Sequence, residues 1–420
     1  MSGHFISSTT SDPFGPTPSP TVKMPRPPIL KPRSASSSGS ASPTVAKEPS
    51  ADEGSAGKMV VCPFCYTRIK GKRGMPCPNE ECYSHRRGIP LPDEVFTHDL
   101  FSVAIVGASS SGKSHYLAAL KHSLVNESFW GDGDIRSGYW NWSFVTYYNP
   151  DNADNQSVDN PYIRYEDNLY SRKVTLESTK RDDEHPPLLL SLEYLHPIRR
   201  MFDEPRFRKK GLLVAITDTA GEHSHSESIG ALEDNYPVLK KLIKGVIVML
   251  DPKELDSSGA ANAVLSWFKR KRGKAKLPIA LCLSKIDELS RGEESFPAEL
   301  LDAKNFNTNL SVPGRLVLPN VEQISLAVRR WMSGNAMHST AQNIESSFRY
   351  HAFFASSALG IEPFKLNADG SPQFDGSGAM MLRGEPKPLR VLDPLLWILW
   401  QHGKLGGVER LAGRMNGGAS

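Results

Sequence analysis

Residues 103–120 read VAIVGASSSGKSHYLAAL: an apolar run, a turn of Gly and Ser, a Lys-Ser pair, and a stretch compatible with a helix. This feature restricts the fold more than any other. An apolar run without polar alternation must be covered on both faces, as strands of a parallel sheet are. The turn from Gly107 to Ser114 has the form G-x-x-x-x-G-K-[ST]. Gly107 and Gly112 allow a tight backbone path in which successive N–H groups point inward, and the positive end of the following helix adds to that field. Ser110, Ser111, Ser114 and His115 belong to the same cradle. Lys113 reaches terminal phosphates as a point charge, and the Ser114 hydroxyl is suited to Mg²⁺. The motif calls for a nucleoside triphosphate and leaves its base open.

Downstream, strand-like stretches at 187–195, 211–218, 244–250, 278–284 and 351–356 alternate with helical ones at 233–243, 260–271 and 321–332. That order predicts an α/β fold, a mostly parallel sheet with helices on both faces. A Pro-started amphipathic helix closes it at 392–405, and polar insertions interrupt it at about 131–186 and 290–345. The sequence divides into a Ser/Pro-rich tail (1–57), a Cys-rich module (58–95), the α/β domain (96–406) and a short tail (407–420). The first tail is too poor in apolar residues to offset its ordering entropy, and its KMPRPPILKPR (23–33) reads as a solvated linker, with a ligand for a polyproline-binding module or an anionic surface as the alternative. Among 420 residues the net charge is only +4, so no global field draws the chain to nucleic acid or membrane. No apolar run is long enough to span a bilayer, and the N-terminus lacks a signal-like apolar region. A cytoplasmic protein is expected.

Three further motifs bear on the base and the reaction. In AITDTAGEHSHS (215–226), Asp218 ends an apolar strand and can hold a Mg²⁺-bound water, while the Gly221 N–H can meet a γ-phosphate. In LCLSKIDEL (281–289), Asp287 can accept two hydrogen bonds from guanine N1–H and N2–H₂, a donor pair that adenine lacks. Lys285 can lay its stem over the base, and Ser284 can brace the phosphate turn. In FFASSALG (353–360), the backbone N–H near Ala358, after Ser357, can donate to guanine O6.

The series GASSSGKS, DTAG, SKID and SSAL, over about residues 100–405, resembles the translation-factor and Ras-related superclass of P-loop GTPases. The resemblance implies Mg²⁺-dependent GTP binding and hydrolysis to GDP and phosphate. The chain departs from the pattern in three places. Ser284 stands where the family has Asn or Thr, and Glu222 where Ras-like enzymes have a catalytic Gln. A carboxylate can orient the attacking water but cannot donate to the γ-phosphate, so slow, partner-stimulated hydrolysis is expected. His223 is displaced by one position from the His of translation-factor GTPases, and its alternative is an exposed loop side chain, like His225. Thr179 is nominated as the first-switch Mg²⁺ ligand, with Thr175 as rival. A narrower resemblance is to bacterial double-GTPases of conflict and stress systems, which can carry a zinc ribbon. It implies a protein effector, such as a second GTPase. A P-loop ATPase or kinase, and a scaffold that binds without hydrolysing, stay open as alternatives.

Cys62, Cys65, Cys77 and Cys82 fall as C-x₂-C-x₁₁-C-x₄-C. Two close thiolate pairs suit a tetrahedral Zn²⁺ in a module with little else to fold around. His85 in place of Cys82, rubredoxin-like iron, and no metal remain alternatives. Arg68, Lys70, Lys72, Arg73, Arg86 and Arg87 surround the module, and only Tyr66 and Tyr83 offer stacking faces. A solvated rim on a protein-docking module is therefore expected over a nucleic-acid reader. The basic stretch FKRKRGKAK (268–276) reads as solvated helix-end charge, with docking on a phosphate-rich surface as the alternative, and Cys282 as a core residue.

Overall fold

The computed structural model describes residues 58–108, 110–125, 139–151, 160–176, 186–195, 211–218, 242–253, 276–289, 318–335, 337–360 and 364–407, with short pieces at 262, 296–297, 300, 311–312 and 315–316. The expected tail at 1–57, that at 407–420 save residue 407, the helix expected at 260–271 save residue 262, and most of that at 233–243 lie outside these residues.

The described residues begin with an antiparallel hairpin, β1 (Lys58–Val61) and β2 (Arg68–Gly71), followed by single-turn helices α1 (Tyr83–Arg86) and α2 (Glu94–Thr97). Strand β3 (Asp99–Gly107) then enters the main sheet and leads into α3 (Lys113–Val125). After β4 (Tyr139–Phe144), α4 (Pro161–Glu166) runs into a π-helical turn at Asp167–Ser171. Next come β5 (Leu188–Leu195), β6 (Leu212–Asp218), β7 (Ile243–Leu250), β8 (Ile279–Leu283) and α5 (Ile286–Leu289). Two-residue strands β9 (Ser311–Val312) and β10 (Arg315–Leu316) precede α6 (Leu318–Ser333), α7 (His338–Ser347) and β11 (His351–Ala355). The described residues end with α8 (Asp393–Gln401) and β12 (Gly406–Gly407), the latter pairing with β10.

Seven strands form the main sheet in the order β11-β8-β7-β3-β6-β5-β4. The first five are mutually parallel, whereas β5 runs antiparallel to β6 and β4 antiparallel to β5. Every residue of β6 and β8 is buried, as continuous apolar strands covered on both faces require. Helix α8 lies so close to the sheet that a Cβ on Gly245 would sit 2.4 Å from Ile398 Cγ2, so only glycine fits there.

The two insertions hold more structure than their polarity suggests. The first supplies edge strand β4, whose Trp142 and Phe144 pack on the core through the alternation of YWNWSF. The second supplies α6 and most of α7, and α6 packs on β11. The Cys-rich module does not stand apart from the sheet. Cys62, Cys77, Cys82, Ile89, Val95 and Phe96 share one apolar cluster with Leu189 of β5 and Leu213 and Ala215 of β6. Among the described residues, no helix is long and apolar enough to cross a membrane.

Candidate functional site

Because β3, β6, β7, β8 and β11 are parallel, their carboxyl ends gather along one edge of the sheet, where α/β folds hold ligands. Gly107 ends β3 opposite Met249 of β7. A Cβ there would lie 2.6 Å from the Met249 carbonyl oxygen and 2.7 Å from Ser111 Oγ, so glycine is obligatory. The turn then passes through positive φ at Ser110 (56°) and Gly112 (82°). Ser109 lies outside the described residues. Ser111 is fully buried, and its Oγ has no hydrogen-bond partner among the described residues. Lys113 folds back over the turn: its Nζ donates to the carbonyls of Gly107 (3.0 Å) and Ala108 (2.8 Å) and is almost buried. The turn thus holds a cation over inward-curving backbone. Ser114 is half-buried at the start of α3.

His115 faces another way. Its Nε2 accepts the Leu176 N–H at 3.1 Å, tying the end of the first insertion to α3. Loss of hydration and then the charge of Lys285 lower its pKa to about 4, so the ring is neutral at pH 7 and can serve as that acceptor. Thr175 is nearly buried, and its Oγ1 accepts the Met380 N–H at 3.1 Å. Its rival Thr179 lies outside the described residues, as do Gly221, Glu222, His223 and His225.

Asp218 ends β6 beside Ile105 and is almost buried. The motif after β8 reaches the turn through Lys285. This residue has a φ of 52°, and its Cε lies 3.8 Å from where a Cβ on Gly112 would stand. Its Nζ donates to Asp251 Oδ2 at 2.8 Å. Asp251 is not among the residues nominated from sequence, although it follows β7 directly, much as Asp218 closes β6. Ser284 hydrogen bonds to the end of β7, its Oγ donating to the Leu250 carbonyl at 3.0 Å, rather than to the turn. Asp287 is buried in the first turn of α5. That helix abuts the segment after β11, where the Ile286 N–H donates to Ser356 O. Ser357 is buried and exchanges two backbone hydrogen bonds with Leu389, with half-buried Ala358 next in line.

The four cysteines form a second site. Sγ of Cys62 and Cys82 are 3.7 Å apart, those of Cys65 and Cys77 3.8 Å, and all four lie within 4.8 Å of one another. Four thiolates about 2.3 Å from a tetrahedral Zn²⁺ stand about 3.8 Å apart, so the quartet fits the ion. An S₄ set suits iron equally by geometry. His85 is outside the set, its Nδ1–H donating to the Cys77 carbonyl at 2.8 Å. The six basic residues named above are all exposed, but Tyr66 and Tyr83 are buried, so neither offers a face for stacking bases. Cys282 is buried in β8, as expected of a core residue.

The fold and its two sites therefore define an α/β protein with a mostly parallel seven-stranded sheet and a four-cysteine, metal-competent centre packed on it. Comparison of the chain with family models and with curated proteins finds no match.

Proposed function

We propose that the chain is a GTP-binding switch of the P-loop GTPase type that hydrolyses GTP slowly to GDP and phosphate. The observation that carries this reading is the contact between two motifs distant in sequence: Lys285 of SKID lies against Gly112 of GASSSGKS at the carboxyl edge of the sheet. In this reading the turn from Gly107 to Ser114 binds the phosphates through its N–H groups, and Lys113 leaves its two carbonyls to meet the terminal phosphates. Ser114, Asp218 and a first-switch Thr hold Mg²⁺, which supplies neutralising charge to the phosphates when bound. Lys285 and Asp287 read the guanine, with Ala358 completing its recognition. Glu222 orients the attacking water, and its inability to donate a hydrogen bond keeps the intrinsic rate low. The cysteine centre is structural zinc. The implied setting is cytoplasmic, and the implied partner is a protein effector, such as a second GTPase.

Base preference tests the reading. Wild type should bind guanosine triphosphate over the adenosine form in a Mg²⁺-dependent manner. Asp287→Asn should lose that preference by 100-fold or more and gain affinity for xanthosine triphosphate. Preference for ATP, or indifference to the base, would leave only an unassigned phosphate turn. The sequence feature Glu222 also favours a scaffold that hardly hydrolyses. Turnover below about one per hour with tight binding, measured without partner, would select that version.

A further inference from the structure

Tyr66 follows ligand Cys65 directly and has a φ of 58°, a conformation that bulky side chains rarely adopt. Its own N–H donates to the Cys62 carbonyl at 2.8 Å, and the Cys62 N–H donates to Thr67 O at 3.1 Å, closing the knuckle that holds two of the four sulfurs. The side chain leaves the cysteine module and enters the core of the α/β domain, where it is 2% exposed. There its hydroxyl hydrogen bonds to Thr217 Oγ1. Thr217 is the residue before Asp218, at the carboxyl end of β6. A glycine would adopt this φ without strain, so a tyrosine here needs a compensating contact, and the buried bond to Thr217 is one. Tyr162 of α4 belongs to the same buried cluster as Tyr66.

We infer that Tyr66 is a positioning residue through which metal held by the cysteine quartet sets the end of β6, and with it the carboxylate of Asp218. This rests on the nucleotide reading above and extends it: the metal centre and the Mg²⁺–nucleotide site are energetically coupled. The metal fixes Cys62 and Cys65, the knuckle fixes the strained backbone of Tyr66, and the phenol fixes Thr217. Coupling of this kind is reciprocal, so nucleotide must retain the metal as much as the metal favours nucleotide.

Tyr66→Phe and Thr217→Val remove the hydrogen bond while keeping shape and all four thiols. Each should keep one metal ion per chain and lower Mg²⁺-dependent GTP affinity about three- to tenfold, the loss of one buried hydrogen bond. Affinity in the absence of Mg²⁺ should not change. The double variant should lose no more than either single one. In wild type, saturating Mg²⁺ and GTP should slow zinc release to a competing chelator, and in Tyr66→Phe this protection should shrink. A Tyr66 that serves only to anchor the module would move neither the Mg²⁺-dependent part nor the protection. Wild-type affinity in both variants with nucleotide-independent zinc release would overturn the inference. The control Lys113→Ala separates the two ideas. If it binds GTP as wild type does, the nucleotide reading fails and this coupling fails with it. If it alone loses GTP, only the coupling fails.

Discussion

At the scale of single residues, the turn from Gly107 to Ser114 is shaped by sterics before charge. Gly107 faces the Met249 carbonyl, which belongs to a buried strand and cannot move aside as a flexible side chain would. Gly107→Ala should therefore cost about 1–3 kcal/mol of stability, read as a lower denaturant midpoint at unchanged slope. The need for glycine was legible in the motif. The carbonyls that hold Lys113, Gly107 and Ala108, were not, because they depend on how the turn closes. The same holds for Asp251. Its role arises only because β7 and β8 are neighbours, so the two strand ends bring Asp251 and Lys285 to 2.8 Å. Ser284 looked like a brace for the turn, but its hydroxyl is spent on the strand end nearer to it.

Between elements, α3 and α4 are joined by a polar contact that no periodicity announces. Glu166 of α4 meets Lys121 and accepts from His122 Nδ1 at 2.9 Å, and the His122 ring stacks on Tyr170 with centroids 3.5 Å apart. Burial alone would raise the pKa of Glu166. The hydrogen bonds and charges of His122 and Lys121 win, and bring it to about 2 from an ordinary 4.5. A carboxyl held low in the folded state adds stability above its ordinary pKa, and that stability is lost as pH falls through 4.5 toward 2. Glu166→Gln should accordingly be less stable than wild type at pH 7, with the gap closing across that window, as urea titrations at several pH values would show. If the difference were the same at pH 7 and pH 2.5, Glu166 would not carry this charge interaction. Strand β4 went unread for a related reason. Its aromatic alternation is real, but it is six residues long and sits in a polar stretch, so it acquires a partner only through β5.

For the whole molecule, the metal-competent centre and the sheet share a core. Cys62, Cys77 and Cys82 are buried in one cluster with Leu189, Leu213 and Ala215, so the quartet shares its packing with one face of β5 and β6. Stripping metal with a chelator should lower the main thermal transition by about 5 °C or more, followed by calorimetry with metal content assayed in parallel. A main transition that does not move would mean that the module unfolds independently of the sheet. What the sequence determined by itself was local: the strands from their unbroken apolar runs, though not the antiparallel direction of β5, the tight turn from its glycines, and the sulfur quartet from its spacing. These depend on backbone conformation and solvation within a few residues, and both are written in residue order. The tertiary structure decided which of these pieces touch: the cysteine module against β5 and β6, Lys285 against Gly112, and Tyr66 against Thr217. Such contacts join positions as distant in sequence as Gly112 and Lys285, and only the order and direction of seven strands fix them.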